Sequence, residues 1–459
     1  MNAPTIAESS AGLKRGMGFF PALTSNMLNM VGVGPFITIP LILSAMGGPQ
    51  ALLGWICGAL IALSDGLVWA ELGAAMPDTG GSYEYLQQAF APLSLGRLMG
   101  FLFLWQVMLA APLTAASGGV GFADYTRYLI PSLTATEGKV VAMGVCLFAT
   151  FLLYRDIKSI GKISNVLWAG LMLAIGIILW GGFRHFSPAV AFNFPPHAFS
   201  LTPAFFNGLG AAALLSMYDY SGYFNVCLIG GEVKNPTRTI PRVVVLSIVI
   251  LAVLYLAMSL SIIGVVPWKQ AMNSTAIVSD YMEHLYGPHA ASLMTLLILW
   301  VAFASVFCVL LGYTRVPYAA ATEGHFFSRF GRLHPTRNFP AFSVLFFGVA
   351  SAAMCLIPLD ALIKELLVIQ IVTWFGAQCV GVVLIRRLRK DINRPFKMPL
   401  YPLPVVVALA GWLFIFATSG WPYIVSALAL VLFGVIAFRI FTRSPNDPAA
   451  SSIDTLSSN

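Results

Sequence analysis

The stretch from Leu214 to Arg242 reads LLSMYDYSGYFNVCLIGGEVKNPTRTIPR. It is apolar enough to lie in a membrane, yet it carries an acid (Asp219), a Ser-Gly pair (Ser221, Gly222) and a polar exit from Glu232 to Arg242. A continuous spanning helix has no use for Asp-Tyr-Ser-Gly near its middle. An ionisable group at membrane depth costs about 2.5–3.5 kcal/mol on insertion scales, so such groups face a cavity or a pathway. Gly222 lets the backbone leave helical geometry there. Broken helices persist in lipid only where they line a cavity or are buried in protein. Two readings follow: a kinked structural helix whose acid is satisfied by a neighbour, or a substrate site at the membrane midplane. The rest of the chain supports the second.

The chain has 459 residues, of which 58% are hydrophobic and only 10% charged, with a mean hydropathy of +0.83. Soluble proteins carry about 25% charged residues, so the composition describes an all-α, multi-pass membrane protein with no large soluble domain. The net charge of +8 reads as membrane topology rather than as an anionic or nucleic-acid partner. All six cysteines fall inside apolar runs without metal or disulfide spacing, and all six histidines lie near run ends or in loops. No metal centre or cofactor is expected from that pattern.

Twelve apolar runs place twelve spans, at roughly 18–46, 50–75, 97–123, 138–154, 160–182, 203–231, 241–266, 288–316, 340–357, 360–385, 401–419 and 421–441. They are called runs 1 to 12 below. With the N-terminus inside, all but five of the 26 basic residues fall on the cytoplasmic side; the five are Arg127, Lys139, Arg184, Lys269 and Lys364. A missed or invented helix would scramble that partition, so the positive-inside rule supports twelve spans with both termini cytoplasmic. Residues 1–16 read as a cytoplasmic tail without a cleavable signal, 17–441 as the transmembrane domain, and 442–459 as a disordered cytoplasmic tail.

Runs 1 and 6 stand apart from the others. Run 1 holds Gly32, Gly34 and Pro35 at its middle, and run 6 holds the Asp-Tyr-Ser-Gly interruption. Paired interrupted segments at matching places in two halves point to an inverted-repeat transporter and to its binding site. The repeats would be about 17–182 and 203–385, with runs 11 and 12 (about 400–441) added outside.

Gly32-Val33-Gly34-Pro35 supplies what a zwitterion needs. The amides that open a half-helix point into the gap at the positive end of a dipole, and the carbonyls around Met30 would accept from an ammonium. Run 6 would add carbonyls near Tyr218 and Asp219. Val33 has no hydroxyl, so a carboxylate there must be read by amides. Asp219 could hold a cationic substrate, carry a coupling proton, or bond to the broken backbone; Tyr218 is the expected lid. In run 2, Asp65 and Glu71 lie about 240° apart at ~3.6 residues per turn, so they are not a paired-carboxylate site. Asp65 is a candidate for the proton path, and Glu71 for capping loop backbone at the cytoplasmic end. The segments 76–90 and 230–242, rich in Gly and Pro, read as compact connections, and Thr322-Glu323-Gly324 as a helix stop.

These motifs resemble the amino acid–polyamine–organocation superfamily of secondary transporters, from run 1 to about run 10. GVGPF is similar to the family's first broken helix, and AELGAAMPDTGGSYEYLQQAF to its segment after span 2. GGEVKNPTRTIPR resembles its Glu-Val-x-Asn-Pro signature, and GYTRVPYAAATEG the end of its span 8. The resemblance implies a five-plus-five inverted-repeat (LeuT-like) fold with discontinuous helices 1 and 6. It places a substrate head group at Met30, Val33 and Gly34 and its side chain at Tyr218, Ser221 and Gly222. Asp65 with Glu71, and Ser221-Gly222-Tyr223, look most like the L-type amino acid and polyamine-uptake branch. The acid that often follows that branch's Ser-Gly-Tyr is Phe224 here, and Asp219 stands where an Asn is common. The lysine that some proton-coupled members carry in run 5 has no counterpart, since Gly161 to Gly182 holds only Lys162. Sodium coupling, with Ser305 in run 8 as a ligand, therefore stays open beside proton coupling and exchange. The expected function is a non-enzymatic, proton-coupled amino acid permease of a bacterial inner membrane working by alternating access, with a polyamine or other organic-cation transporter, or an amino acid exchanger, as alternatives. A membrane-embedded transferase would need a His-Asp, Cys-His or paired-acid constellation, and a nutrient sensor a sizeable soluble output segment; neither is written in the chain.

Overall fold

The computed structural model describes residues 16–77, 81–154, 157–322, 324–334 and 339–442. The expected tails, the segment 78–80, Glu323, and the basic residues Lys14, Arg15, Arg155, Arg337 and Arg443 lie outside these residues, as do the side chains of Lys158 and Lys162. The described residues form helices joined by short connections, with one isolated parallel bridge between Met17 and Val233. Helices occupy every apolar run. Run 1 is two helices, Phe19–Met30 and Gly34–Met46; run 2 is Leu52–Ala75, run 3 Gly96–Leu129, run 4 Ala135–Leu153 and run 5 Ile157–His185. Run 6 is Pro203–Tyr220 followed by the single turn Asn225–Leu228, run 7 is Pro236–Ile263 and run 8 Pro288–Tyr313. Runs 9, 11 and 12 are Ala341–Met354, Leu403–Thr418 and Trp421–Thr442. Run 10 comprises Leu359–Gln370 and Gly376–Leu388, joined by a π-helical turn at Ile371–Phe375. Among the described residues, seven helical stretches are long and apolar enough to cross a membrane, and four further apolar helices are shorter.

Local chemistry sets the helix ends. Thr134 and Glu137 form a reciprocal capping box at the start of run 4, and Thr202 Oγ1 accepts from Phe205 N at 3.2 Å ahead of run 6. Pro203, Pro236 and Pro288 each open a helix, where a missing N–H costs nothing. The helix of run 6 ends at Tyr220, and at the Asp-Tyr-Ser-Gly interruption its backbone turns out at Ser221 and Gly222 takes φ +105°. One reading of the sequence needs correction here. Run 7 begins at Pro236 rather than 241, so Pro241 lies inside a helix and not in a turn. Asn235, at φ +47°, turns the chain, and Thr239 N and Arg238 N bond to its carbonyl. Pro241 is the sixth residue of that helix and forgoes the bond its N–H would have made to Thr237 O. The connection 76–90 carries a helix of its own at Ser82–Phe90, with Tyr85, Leu86 and Ala89 buried on one face. The stop after run 8 lies where the sequence puts it, since the helix Arg315–Thr322 ends there and Gly324 takes φ +76°.

Packing places the breaks beside one another. Run 2 lies against run 7 and against the first helix of run 6. A β-carbon on Gly54 would meet the Ala212 side chain at 2.6 Å, and one on Gly58 would meet Ser216 at 2.8 Å. Only glycine permits that approach, as small residues do between helices in lipid. On the far side of the run 1 break, Tyr125 Oη donates to Phe36 O at 2.7 Å and accepts from Val278 N at 3.3 Å. That clamps the helix Ile277–Tyr286 over the second half of run 1. At the other end, Met17 N donates to Glu232 O at 3.0 Å and Lys234 N to Met17 O at 2.8 Å, tying the start of run 1 to the end of run 6.

Candidate functional site

The site is built where the two interrupted helices meet. In run 1 the first helix ends at Met30, Val31 N bonds back to Met27 O at 2.8 Å, and the second helix opens at Gly34. In run 6 the helix ends at Tyr220, and Ser221 Oγ folds back to Met217 O at 2.7 Å. Met30, Val33, Gly34, Asp219 and Gly222 are buried; Gly32, Tyr218, Ser221 and Ser305 are half-buried. The eight residues expected to bind substrate therefore lie along the two breaks.

Asp219 reaches across to run 1. Thr38 Oγ1 donates to Asp219 Oδ2 at 2.5 Å, and Oδ1 is buried without a hydrogen-bond partner. A β-carbon on Gly34 would sit 2.1 Å from that bare oxygen and 3.3 Å from the Tyr218 ring. Thr38 follows Gly34 by one helical turn on the same face, and helix side chains lean toward the N-terminus. The carboxyl group thus rests over the amino-terminal end of the half-helix Gly34–Met46. Among the described residues no ion pair includes it. Tyr218 covers the same glycine with its ring, and its hydroxyl is 2.7 Å from Ser117 Oγ of run 3.

Three residues that sequence reasoning missed hold the breaks in register. Tyr255 Oη of run 7 lies 3.1 Å from Asp219 O and 3.3 Å from Met30 O, so one hydroxyl spans the carbonyls expected to receive an ammonium. Asn26, in the first helix of run 1, donates to Ser247 Oγ at 2.8 Å and Tyr223 O at 3.1 Å, and accepts from Val226 N at 2.9 Å. It replaces the bonds that run 6 forfeits by unwinding. Thr38 is the third. Their only signal in the chain is a polar side chain within an apolar run.

The two acids of run 2 go separate ways, in keeping with their spacing. Asp65 accepts from Tyr223 Oη at 2.5 Å, Trp412 Nε1 at 3.2 Å and Cys379 Sγ at 3.5 Å, joining run 2 to runs 6, 10 and 11. Glu71 takes Arg386 in a two-pronged pair at 2.7 and 2.5 Å and accepts from Met398 N at 2.8 Å. It caps loop backbone, and the paired arginine lies 3.8 Å over the Tyr401 ring. Just past run 10, Arg389 hydrogen-bonds Asp391 at 2.8–3.1 Å and holds that carboxyl below the usual carboxylate range. Ser305 adjoins the run 1 break: its Oγ would lie 2.6 Å from a β-carbon on Gly32. No group of three metal-binding side chains occurs among the described residues.

Residues 19–445 match the model of a family described as amino acid permease. The chain is 28% identical to the branched-chain amino acid permease BcaP of Bacillus subtilis, over 96% of this chain and 95% of that one. It is 24% identical to the serine/threonine exchanger SteT of the same organism, over 94% and 97%. To the b(0,+)-type amino acid transporter 1 of Mus musculus it is 26% identical, over 94% and 89%.

Proposed function

We propose that this chain, which belongs to the amino acid permease family of the amino acid–polyamine–organocation superfamily, imports amino acids across a bacterial inner membrane by alternating access coupled to inward proton movement. The single observation behind this reading is the meeting of two helix breaks, with Asp219 of run 6 lying over Gly34 of run 1. In the proposal, Met30, Gly32, Val33 and Gly34 receive the head group, while Tyr218, Ser221 and Gly222 border the side chain. Asp65, Asp219 and Glu71 are the acids available for coupling, and Ser305 would serve if the ion were sodium. The chain would cross twelve times, with both tails (1–16 and 442–459) cytoplasmic and with repeats at about 17–182 and 203–385. Runs 11 and 12 would stand outside them. Rocking of one bundle against the other would open first the Tyr125–Val278 end and then the Met17–Glu232 end.

Exchange is the second reading, favoured by the likeness to a serine/threonine exchanger. Polyamines would be favoured instead if Asp219 served as a counter-ion. Uptake into liposomes decides among these, using neutral, cationic and anionic amino acids with putrescine and spermidine, each with and without an inward proton gradient. Accumulation of amino acids against their own gradient only when the proton gradient is present is the expected result. Uptake that needs internal amino acid whatever the gradient makes the protein an exchanger, and uptake confined to the amines overturns the amino acid reading.

A further inference from the structure

The amino-terminal end of the half-helix Gly34–Met46 is where an amino acid's carboxylate must be received, and in this chain it already holds a carboxyl group. Asp219 Oδ1 is buried, lies against Gly34 and has no hydrogen-bond partner, while Oδ2 is held by Thr38 at 2.5 Å. Two carboxylates brought side by side at a buried helix start with no fixed cation repel each other strongly. Resting on the amino acid reading above, we propose that Asp219 must take up a proton before an amino acid carboxylate can bind at Gly34. The proton would sit on Oδ1 and be donated to a carboxylate oxygen of the substrate. When the site opens inward the amino acid leaves and Asp219 Oδ1 releases its proton to the cytoplasm, so the ionised carboxylate requires a fresh proton from outside on the next cycle. Asp219 is then a specificity residue as well as a coupling residue: ionised, it excludes carboxylates and tolerates amines; protonated, it admits amino acids.

The surroundings leave this role to Asp219. The titratable groups facing it are tyrosines: Tyr218 and Tyr220 on its own helix and Tyr255 from run 7. Run 1 contributes the Thr38 hydroxyl, and run 3 reaches it only through Ser117, which holds Tyr218. From run 2, Asp65 is turned away to Tyr223, Trp412 and Cys379. On the described faces of runs 10 and 11 no charged side chain bonds to it.

The test is ligand affinity against pH in purified full-length protein, with tritiated L-leucine and L-serine as amino acid probes. L-leucinol keeps the ammonium and side chain but lacks the carboxylate. Across the pH range in which the protein stays folded, wild-type affinity for the amino acids should weaken with rising pH, by about tenfold per pH unit once Asp219 ionises. L-leucinol should bind at least as well at the upper end of that range as at the lower. Asp219→Asn should bind the amino acids with little pH dependence. The wild-type comparison of leucine with leucinol stands even if the variant does not fold. Saturable amino acid binding that is flat with pH, or a leucinol profile that parallels leucine, overturns the proposal and leaves the permease reading intact. Binding of neither amino acid at any pH overturns that reading itself.

Discussion

Two buried aspartates sit within this apolar core, and the chain treats them in opposite ways. Asp65 accepts three hydrogen bonds from three different runs. Asp219 accepts one on Oδ2 and leaves Oδ1 bare against a glycine at a helix start. A buried acid with both oxygens directed at donors is a joint in the scaffold. One with a buried, bare oxygen against a helix start keeps a lone pair for a proton or another donor. The comparison teaches that depth in the membrane does not identify the working acid; the unfilled side of its hydrogen-bonding shell does.

The contrast can be broken most sharply by stability. Asp65→Ala strands the Tyr223 hydroxyl and the Trp412 indole N–H in a dry interior, at roughly 1–3 kcal/mol for each donor left unpaired. It should lower thermal stability in detergent far more than Asp219→Asn, which keeps an acceptor for Thr38 and should change stability by less than about 1 kcal/mol. Equal losses in the two variants would erase the distinction. The next effect is on binding. Gly34→Ala drives a methyl group toward Asp219 Oδ1 at 2.1 Å, and overpacking of about 1–3 kcal/mol should cut amino acid affinity ten- to hundredfold. Unchanged affinity would mean that substrate does not use this end of the helix.

Asn26→Ala removes three bonds that tie the unwound part of run 6 to runs 1 and 7. A stability loss of about 2 kcal/mol is expected, with transport reduced in proportion to the folded protein recovered. Tyr255→Phe is the mildest change. It frees Met30 O and Asp219 O from a single hydroxyl, costs about 1 kcal/mol, and should leave the pH profile of amino acid binding where it was. A profile displaced by Tyr255→Phe would show that the tyrosine shares in the titration.

Much of this was legible in the chain. Gly32, Gly34 and Pro35 marked the first break, Asp219 to Gly222 marked the second, and the six-residue spacing of Asp65 and Glu71 already separated their partners. What stayed hidden were the cross-links. Asn26 meets Tyr223 across 197 residues and Asn26 meets Ser247 across 221. A lone Asn, Thr or Tyr in an apolar run looks the same whether it bonds to its own turn or to a distant helix. Residues 221–231 are apolar enough for a helix, and their bonds to Asn26 and Asp65 help to hold the unwound form.

The account rests on Asp219 carrying the proton that admits the amino acid, with Asp65 as scaffold. The most direct test is the charge moved when a neutral amino acid is presented to liposomes containing the protein on a solid-supported membrane. Wild type should give an inward positive current that disappears in Asp219→Asn, while that variant still exchanges labelled for unlabelled amino acid at comparable rates. A current that survives in Asp219→Asn would contradict the account and move the coupling proton elsewhere.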